Sequence, residues 1–257
     1  MANKVFLSAG HGGSDPGAVG NGLKEKDINL QVLKTCRDEL ERHGVEVVCS
    51  REKDENDPVG QEVKEANESK SDLAVSFHIN AGGGDGFEAF YWDTNKKAKK
   101  LAELGEKYVK ALGQNSRGLK SGNHLYFIKN TDMTSVLFES FFIDSKDENI
   151  GDTTAEQKAF GVAYAKAILE YFGIKYKAKT DSKTTTKTTE KTTKKDTSFK
   201  VKITATLLNV RAGAGSNYKI TAKVKKGEVY TIVSQVGDWG KLKSGVGYIH
   251  LDYTKRI

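Results

Sequence analysis

The chain has 257 residues, of which 37% are hydrophobic and 29% charged. That is enough for one large domain and a small one, with a core of useful size. No apolar run approaches the roughly 20 residues of a membrane span, so no membrane insertion is expected. The net charge of +7 is unevenly distributed. Residues 1–176 carry 23 Lys and Arg against 28 Asp and Glu, whereas residues 177–257 carry 18 against 6. The basic character therefore belongs to the C-terminal part, which should be drawn to a polyanionic surface.

In chain order, Lys4–Ala9 reads as a strand and Asp27–His43 as an amphipathic helix. Val45–Cys49 is a second strand. Pro58–Lys70 is a helix, with Asp57 and Pro58 as N-cap and first-turn pair. Leu73–His78 is apolar almost throughout, as a strand buried on both faces should be. Gly86–Trp92 is a further strand, Lys96–Leu112 a helix, Leu125–Ile128 and Ser135–Glu139 short strands, and Thr153–Phe172 a final helix stopped by Gly173. This alternation predicts an α/β fold, an open mixed sheet with helices on both faces. Cys36 lies on the apolar side of its helix and Cys49 ends a strand; both read as small buried hydrophobes rather than a disulfide.

From Lys177 to Ser198 the composition changes. Nine of these 22 residues are Thr and seven are Lys, and none is a large apolar residue. Such a segment buries too little surface to offset its ordering entropy, so a flexible linker is expected there. It separates residues 1–176 from 199–257. In the latter, short β-type runs (Val201–Ala205, Lys219–Val224, Val229–Val236, Trp239–Leu242, Gly247–His250) alternate with glycine turns, predicting a small all-β barrel.

Chemistry concentrates in the first domain. His11 lies in a glycine-rich run (SAGHGGSDPGA), Glu25 in GLKEKDINL, His78 at the end of AVSFHINA and Glu139 in VLFESFFID. Two imidazoles and one carboxylate can hold Zn²⁺ and leave a position open for water. A second carboxylate can act as general base. Glu139 is flanked by apolar residues on both sides, so it needs a partner or a raised pKa. His78, His11 and Glu139 fall at or just past predicted strand ends, where α/β sheets gather their ligands.

These four runs, in this order and spacing over residues 3–173, resemble the zinc-dependent N-acetylmuramoyl-L-alanine amidases of bacterial wall turnover and phage lysis. The resemblance implies His11, Glu25 and His78 as ligands of Zn²⁺ and Glu139 as the catalytic base. It also implies the muramoyl–L-alanine amide as the bond cleaved; the residues by themselves indicate only amide hydrolysis. Two positions depart from the family pattern. Ser8-Ala9 replaces the usual Asp-Pro before Gly-His-Gly-Gly, and Glu62 stands where an arginine is usual. The runs LNVR, KGEV, GDWGKL and GYI of residues 199–257 resemble bacterial SH3-like domains, which implies a wall-binding module. Its Tyr218, Trp239, Tyr248 and Tyr253 are candidates for a binding face or for core; Asn209 and Arg211 either bind a wall peptide or brace a turn.

The expected partners are therefore peptidoglycan and other wall polymers. Nucleic acid is disfavoured, because the positive charge sits in a linker without interleaved aromatics. No feature of the sequence specifies an oligomeric state. The N-terminus lacks the apolar h-region of a secretory signal, so synthesis in the cytoplasm and action on the wall after release are expected. Two other readings are compatible with the residues: a zinc-dependent deacetylase or peptidase of peptidoglycan, and a wall-binding protein without catalysis.

Overall fold

The structure is a computed structural model that describes residues 3–145, 151–178, 198–213, 215, 218–236 and 238–257. The chain divides into two compact units, Met1–Ala178 and Lys179–Ile257. Almost all of the Lys/Thr-rich segment, residues 179–197, lies outside the described residues.

In the first unit β1 (Lys4–Ala9) is followed by a two-strand hairpin, β2 (Val19–Gly20) and β3 (Leu23–Lys24). Then come α1 (Glu25–Arg42), β4 (Glu46–Cys49), α2 (Val59–Ser69), β5 (Leu73–Asn80) and β6 (Phe87–Tyr91). The unit closes with α3 (Lys96–Lys110), β7 (Ser116–Ser121), α4 (Tyr126–Asn130), β8 (Thr134–Phe142) and α5 (Thr154–Tyr171). Six strands form one sheet in the order β4-β1-β5-β8-β6-β7. β4, β1, β5 and β8 run parallel, while β6 is antiparallel to β8 and parallel to β7. The sheet is thus open and mixed, as expected.

Side-chain alternation sorts each strand onto two faces. Val5, Leu7, Val75, Phe77, Val136 and Phe138 pack with α1, α3 and α5 in the larger core. Phe6, Ala74 and Leu137 face the other way, onto α2 and α4 through Val63, Ala66, Phe127 and Ile128. The Phe138 and Tyr164 rings stack 4.6 Å apart, joining β8 to α5. Thr153 caps α5 through a reciprocal capping box with Glu156, a device that satisfies two otherwise unpaired helix N–H groups.

Three expectations are corrected. Leu125–Ile128 is not a strand; the chain turns at Gly122 and Tyr126–Asn130 is a helical turn. Phe127 and Ile128 are buried there while Tyr126 is exposed, a pattern too short to separate strand from helix. The sheet position is taken by β7, whose sequence SRGLKS is polar because, among the described strands, it is an edge strand hydrogen-bonded only to β6. Lastly, α1 begins at Glu25 rather than Asp27, which puts Glu25 in its first turn.

The second unit contains β9 (Phe199–Ile203), β10 (Leu207–Arg211), β11 (Ile220–Lys225), β12 (Val229–Val236), β13 (Trp239–Leu242), β14 (Tyr248–His250) and β15 (Thr254–Arg256). All pairings among them are antiparallel, in the order β11-β10-β14-β13-β12-β9-β15. Their inward residues Val201, Ile203, Val210, Ile232, Leu242 and Ile249 form a separate core.

Candidate active site

β1 ends at Ala9, and the glycine-rich run that follows folds back over the strand ends. His11 itself takes φ +65°, a left-handed conformation that few non-glycine residues adopt. The turn aims its imidazole at Glu25 in the first turn of α1, Nε2 to Oε2 3.3 Å. His78, near the C-terminal end of β5, places Nδ1 3.0 Å from Glu25 Oε1. Ligand atoms of the three residues all lie within 4.8 Å of one another, and the two rings meet edge to face at 5.2 Å.

The surroundings hold this trio in place. Glu25 Oε2 accepts the Ala18 N–H at 2.8 Å and Oε1 accepts the Ile79 N–H at 2.9 Å. His11 Nδ1 lies 2.8 Å from Asp15 Oδ2, the outer hydrogen bond that orients a ligating imidazole. Asn29, fully buried, donates to the Gly10 carbonyl at 3.0 Å. Arg51, also buried, donates from Nε to the Ala9 carbonyl and from Nη2 to the Lys26 carbonyl. It thereby ties the segment carrying His11 to the helix start carrying Glu25. Asp15, Asn29 and Arg51 carried no expectation from sequence, where each reads as an ordinary polar residue. The only local signal was the spacing of Asp15 four residues after His11.

Glycines leave the room for this. A Cβ at Gly10 would lie 2.2 Å from the His78 ring, and one at Gly17 would lie 2.6 Å from Glu25 Oε2 and 2.7 Å from His11. Gly17 also has φ +63°. Gly17→Ala is therefore expected to weaken metal binding about 10–100-fold, the usual size for loss of ligand support. Zinc titration checks this, with circular dichroism confirming that the fold is retained.

The electrostatics follow from these contacts. Hydrogen bonding to Glu25 raises His11 to about 9, against a smaller opposing effect of burial. Burial by itself would raise the Glu25 carboxyl, but hydrogen bonds from His11, His78 and the Ile79 N–H outweigh it and hold the group far below its ordinary value. Burial disfavours charge on His78, yet Glu25 and the nearby Glu139 raise its pKa. In the absence of metal the trio is a carboxylate shared by two imidazoles that favour their protonated forms. A divalent cation can replace those protons, and two His nitrogens with one carboxylate oxygen are a donor set that suits Zn²⁺.

Glu139 on β8 is paired in register with His78 on β5, so both project from the same face. Its Oε2 is buried and has no hydrogen-bond partner among the described residues. Burial, chiefly, pushes its pKa up to about 7. A carboxylate with one buried oxygen unpartnered among the described residues and a raised pKa, beside a potential metal site, is poorly explained by stability and well explained by proton transfer.

A family model described as N-acetylmuramoyl-L-alanine amidase matches residues 5–170. The chain belongs to the N-acetylmuramoyl-L-alanine amidase family. A bacterial SH3 domain model matches residues 206–255, so the amidase unit is followed by an SH3 unit. The endolysin of Bacillus phage SPP1 is 38% identical over 190 residues, covering 69% of each chain. The sporulation-specific N-acetylmuramoyl-L-alanine amidase of Bacillus subtilis is 32% identical over 216 residues, covering 82% of this chain and 81% of its own. Among solved structures, the catalytic domain of CwlV, an N-acetylmuramoyl-L-alanine amidase from Bacillus (Paenibacillus) polymyxa var. colistinus, superposes with a TM-score of 0.63 at 31% identity. That match covers 67% of this chain and 99% of CwlV.

The two departures from the amidase pattern meet in space. Ser8 Oγ donates to Glu62 Oε2 at 2.6 Å, and Ser76 Oγ lies 3.3 Å from Ser8 Oγ. All three side chains are buried. A hydroxyl–carboxyl pair thus stands where the family pattern has an arginine, so the replacement by Glu62 removes the ion pair that pattern would allow. His124 is exposed just after β7. Because β7 is antiparallel to the sense of β8, that places it at the end of the sheet away from His78. In the SH3 unit, Arg211 Nη1 donates to the Tyr218 carbonyl at 3.0 Å, so it braces a turn. Tyr218 is exposed, and Trp239 packs edge to face on His250.

Proposed function

We infer that the protein hydrolyses the amide between N-acetylmuramic acid and L-alanine in peptidoglycan, using Zn²⁺ held by His11, Glu25 and His78 and Glu139 as base. The observation that carries this reading is the orphaned Glu139 oxygen beside the His–Glu–His trio, in a chain of the amidase family. Bound at the trio, Zn²⁺ would supply a Lewis acid that polarises the lactyl carbonyl and acidifies water. Glu139 accepts the proton of the attacking water, for which a pKa near neutrality is well matched. It then returns that proton to the departing L-alanine amine, which must leave protonated. Glu25 stays ionised throughout, and Asp15 keeps His11 oriented. Digesting purified walls with and without chelator tests the reading: new L-alanine amino termini are expected only with metal. Release of acetate, or of a different amino terminus, would instead mark a deacetylase or a peptidase.

The SH3 unit is proposed to hold the enzyme on the wall, with the basic C-terminal part favouring anionic wall polymers. No described helix is long and apolar enough to cross a membrane. The similarity to a phage endolysin supports synthesis in the cytoplasm and action after release, which fractionation of producing cells before and after lysis checks. Since the first unit has its own core, a fragment ending at Ala178 should still cleave soluble muramoyl peptides. It should bind intact walls more weakly, because it lacks the second contact and its effective concentration. The full chain's binding should also fall more steeply with salt. Cosedimentation with walls at low and high salt measures both effects. Equal binding by fragment and full chain would remove the SH3 unit as the anchor.

A further inference from the structure

Strand register extends the catalytic row beyond the base. His78 is paired with Glu139, and Glu139 in turn with Glu88 on β6. Directly opposed residues share a face, with Cβ atoms about 4.5–5.5 Å apart. The row ends in two cations from the edge strand β7. Arg117 Nε lies 2.5 Å and Lys120 Nζ 2.6 Å from the same Glu88 oxygen, Oε1. The other oxygen accepts from Asn80 Nδ2 at 3.2 Å. The Arg117 guanidinium also lies over the Phe142 ring, 5.2 Å from its centroid.

The proportions of this cluster are informative. An ordinary surface ion pair is one to one, with both partners in water. Here one carboxylate, its side chain only 4% exposed, serves two cations whose side chains are 45% and 37% exposed. One positive charge remains in excess and faces solvent. Among the described residues Glu88 engages only Nε of the guanidinium, which leaves Nη1 and Nη2, like the remaining Lys120 protons, available there to a further acceptor. Glu88 and Phe142 fix the direction in which they point. Hydrogen-bonded strands are about 4.8 Å apart, so β7 lies roughly 10 Å from β8 and its base. An extended peptide advances about 3.3–3.6 Å per residue. From a scissile amide at Glu139, the residue after L-alanine therefore comes within reach of two long basic side chains.

We propose that Arg117 and Lys120, held by Glu88, form an anion subsite for the carboxylate carried by the residue that follows L-alanine in the departing peptide. The proposal rests on the amidase reading. It makes the free acid a better substrate than its carboxamide, by about tenfold in kcat/KM, the size of one partly exposed charge-assisted hydrogen bond.

Two soluble muramoyl tripeptides test it, alike except that the residue after L-alanine is D-isoglutamyl in one and D-isoglutaminyl in the other. In both, its γ-carboxyl is tied up in the peptide bond to a C-terminal L-lysine amide, so only the first carries a free carboxylate at that residue. Both are assayed with the zinc-loaded full chain at pH 8. The wild type should prefer the acid, mainly through a lower KM. In Arg117→Gln/Lys120→Gln the acid-to-amide preference should collapse towards one. Because that variant leaves Glu88 with weakened partners, Glu88→Gln/Arg117→Gln/Lys120→Gln is measured beside it, and should lose the preference too with the buried carboxylate neutralised. Arg117→Lys/Lys120→Arg, which keeps both charges, should retain most of the preference. A wild type that cleaves both peptides equally, or a preference that survives in the double and triple variants, would overturn the subsite while leaving the amidase intact. A wild type that cleaves neither peptide nor wall would overturn the amidase reading, and the subsite with it.

Discussion

Glu139→Gln should abolish wall cleavage and at the same time make the metal-free protein more stable. The side chain keeps its shape but cannot accept a proton, so a loss of roughly 10²–10⁴-fold in turnover is expected, with zinc still bound. The stability gain follows from burial. In the folded chain Glu139 titrates at about 7, against 4.5 for an unperturbed glutamate. Near pH 4 both folded and unfolded chains hold the proton and the group has no effect. As pH rises from about 4.5 to 7 the unfolded chain ionises first, and folding loses stability. Above 7 the penalty is complete, about 3 kcal/mol. Glutamine never ionises, so the variant should match the wild type near pH 4 and exceed its melting temperature by several degrees at pH 8. Loading with zinc should shrink the difference, because a cation near the carboxylate favours its ionised form. Thermal melts across pH, paired with wall-turbidity assays, measure both effects. Wild-type turnover in Glu139→Gln would remove this residue from the mechanism. The same carboxylate also implies that kcat/KM falls on the acid side, where the base is protonated, and that the bound cation sets this limb below pH 7.

The second large effect concerns the metal. Chelation, or His78→Ala, is expected to reduce hydrolysis on the order of 10³-fold or more, since water activation and carbonyl polarisation are both lost. One zinc per chain should restore the chelated wild type. Zinc at 1,000 times its dissociation constant should stabilise the fold by about 4 kcal/mol. The metal-free trio holds extra protons, with His11 titrating at about 9. Zinc uptake near pH 7.5 should therefore release at least about one proton, and apparent affinity should rise with pH below about 9. Calorimetric titration in buffers of different ionisation enthalpy counts those protons. Binding without proton release would mean that His11 is not a ligand.

Much of the site was legible because its carriers are local. A glycine-rich turn after an apolar strand announces a backbone that folds tightly around a functional side chain, and His11 stands within one. Glu139 was legible for the opposite reason, as a carboxylate in a run too apolar to leave it solvated. The long helices and the inner strands β1, β5 and β8 follow from hydrophobic period and composition, which require no knowledge of neighbours. β7 escaped notice because an edge strand has one polar flank and need not be hydrophobic. The helical turn at Tyr126–Asn130 was misread because the four consecutive apolar and aromatic residues Leu125–Ile128 satisfy either period.

By itself the sequence determined the inner strands and helices, the charge division between the two units, and the residue types that catalysis requires. Those properties are local: burial selects apolar residues, and composition sets charge. Only the tertiary structure decided which groups meet. Ala9 and Lys26 are bridged by Arg51, and Ser8 is bonded to Glu62. The row His78, Glu139, Glu88 depends on the register of three strands that are not all consecutive in the chain. A slip of one residue in any of them would turn its side chain to the opposite face. That register is set by the packing of both helical layers together, which no local segment of the chain encodes.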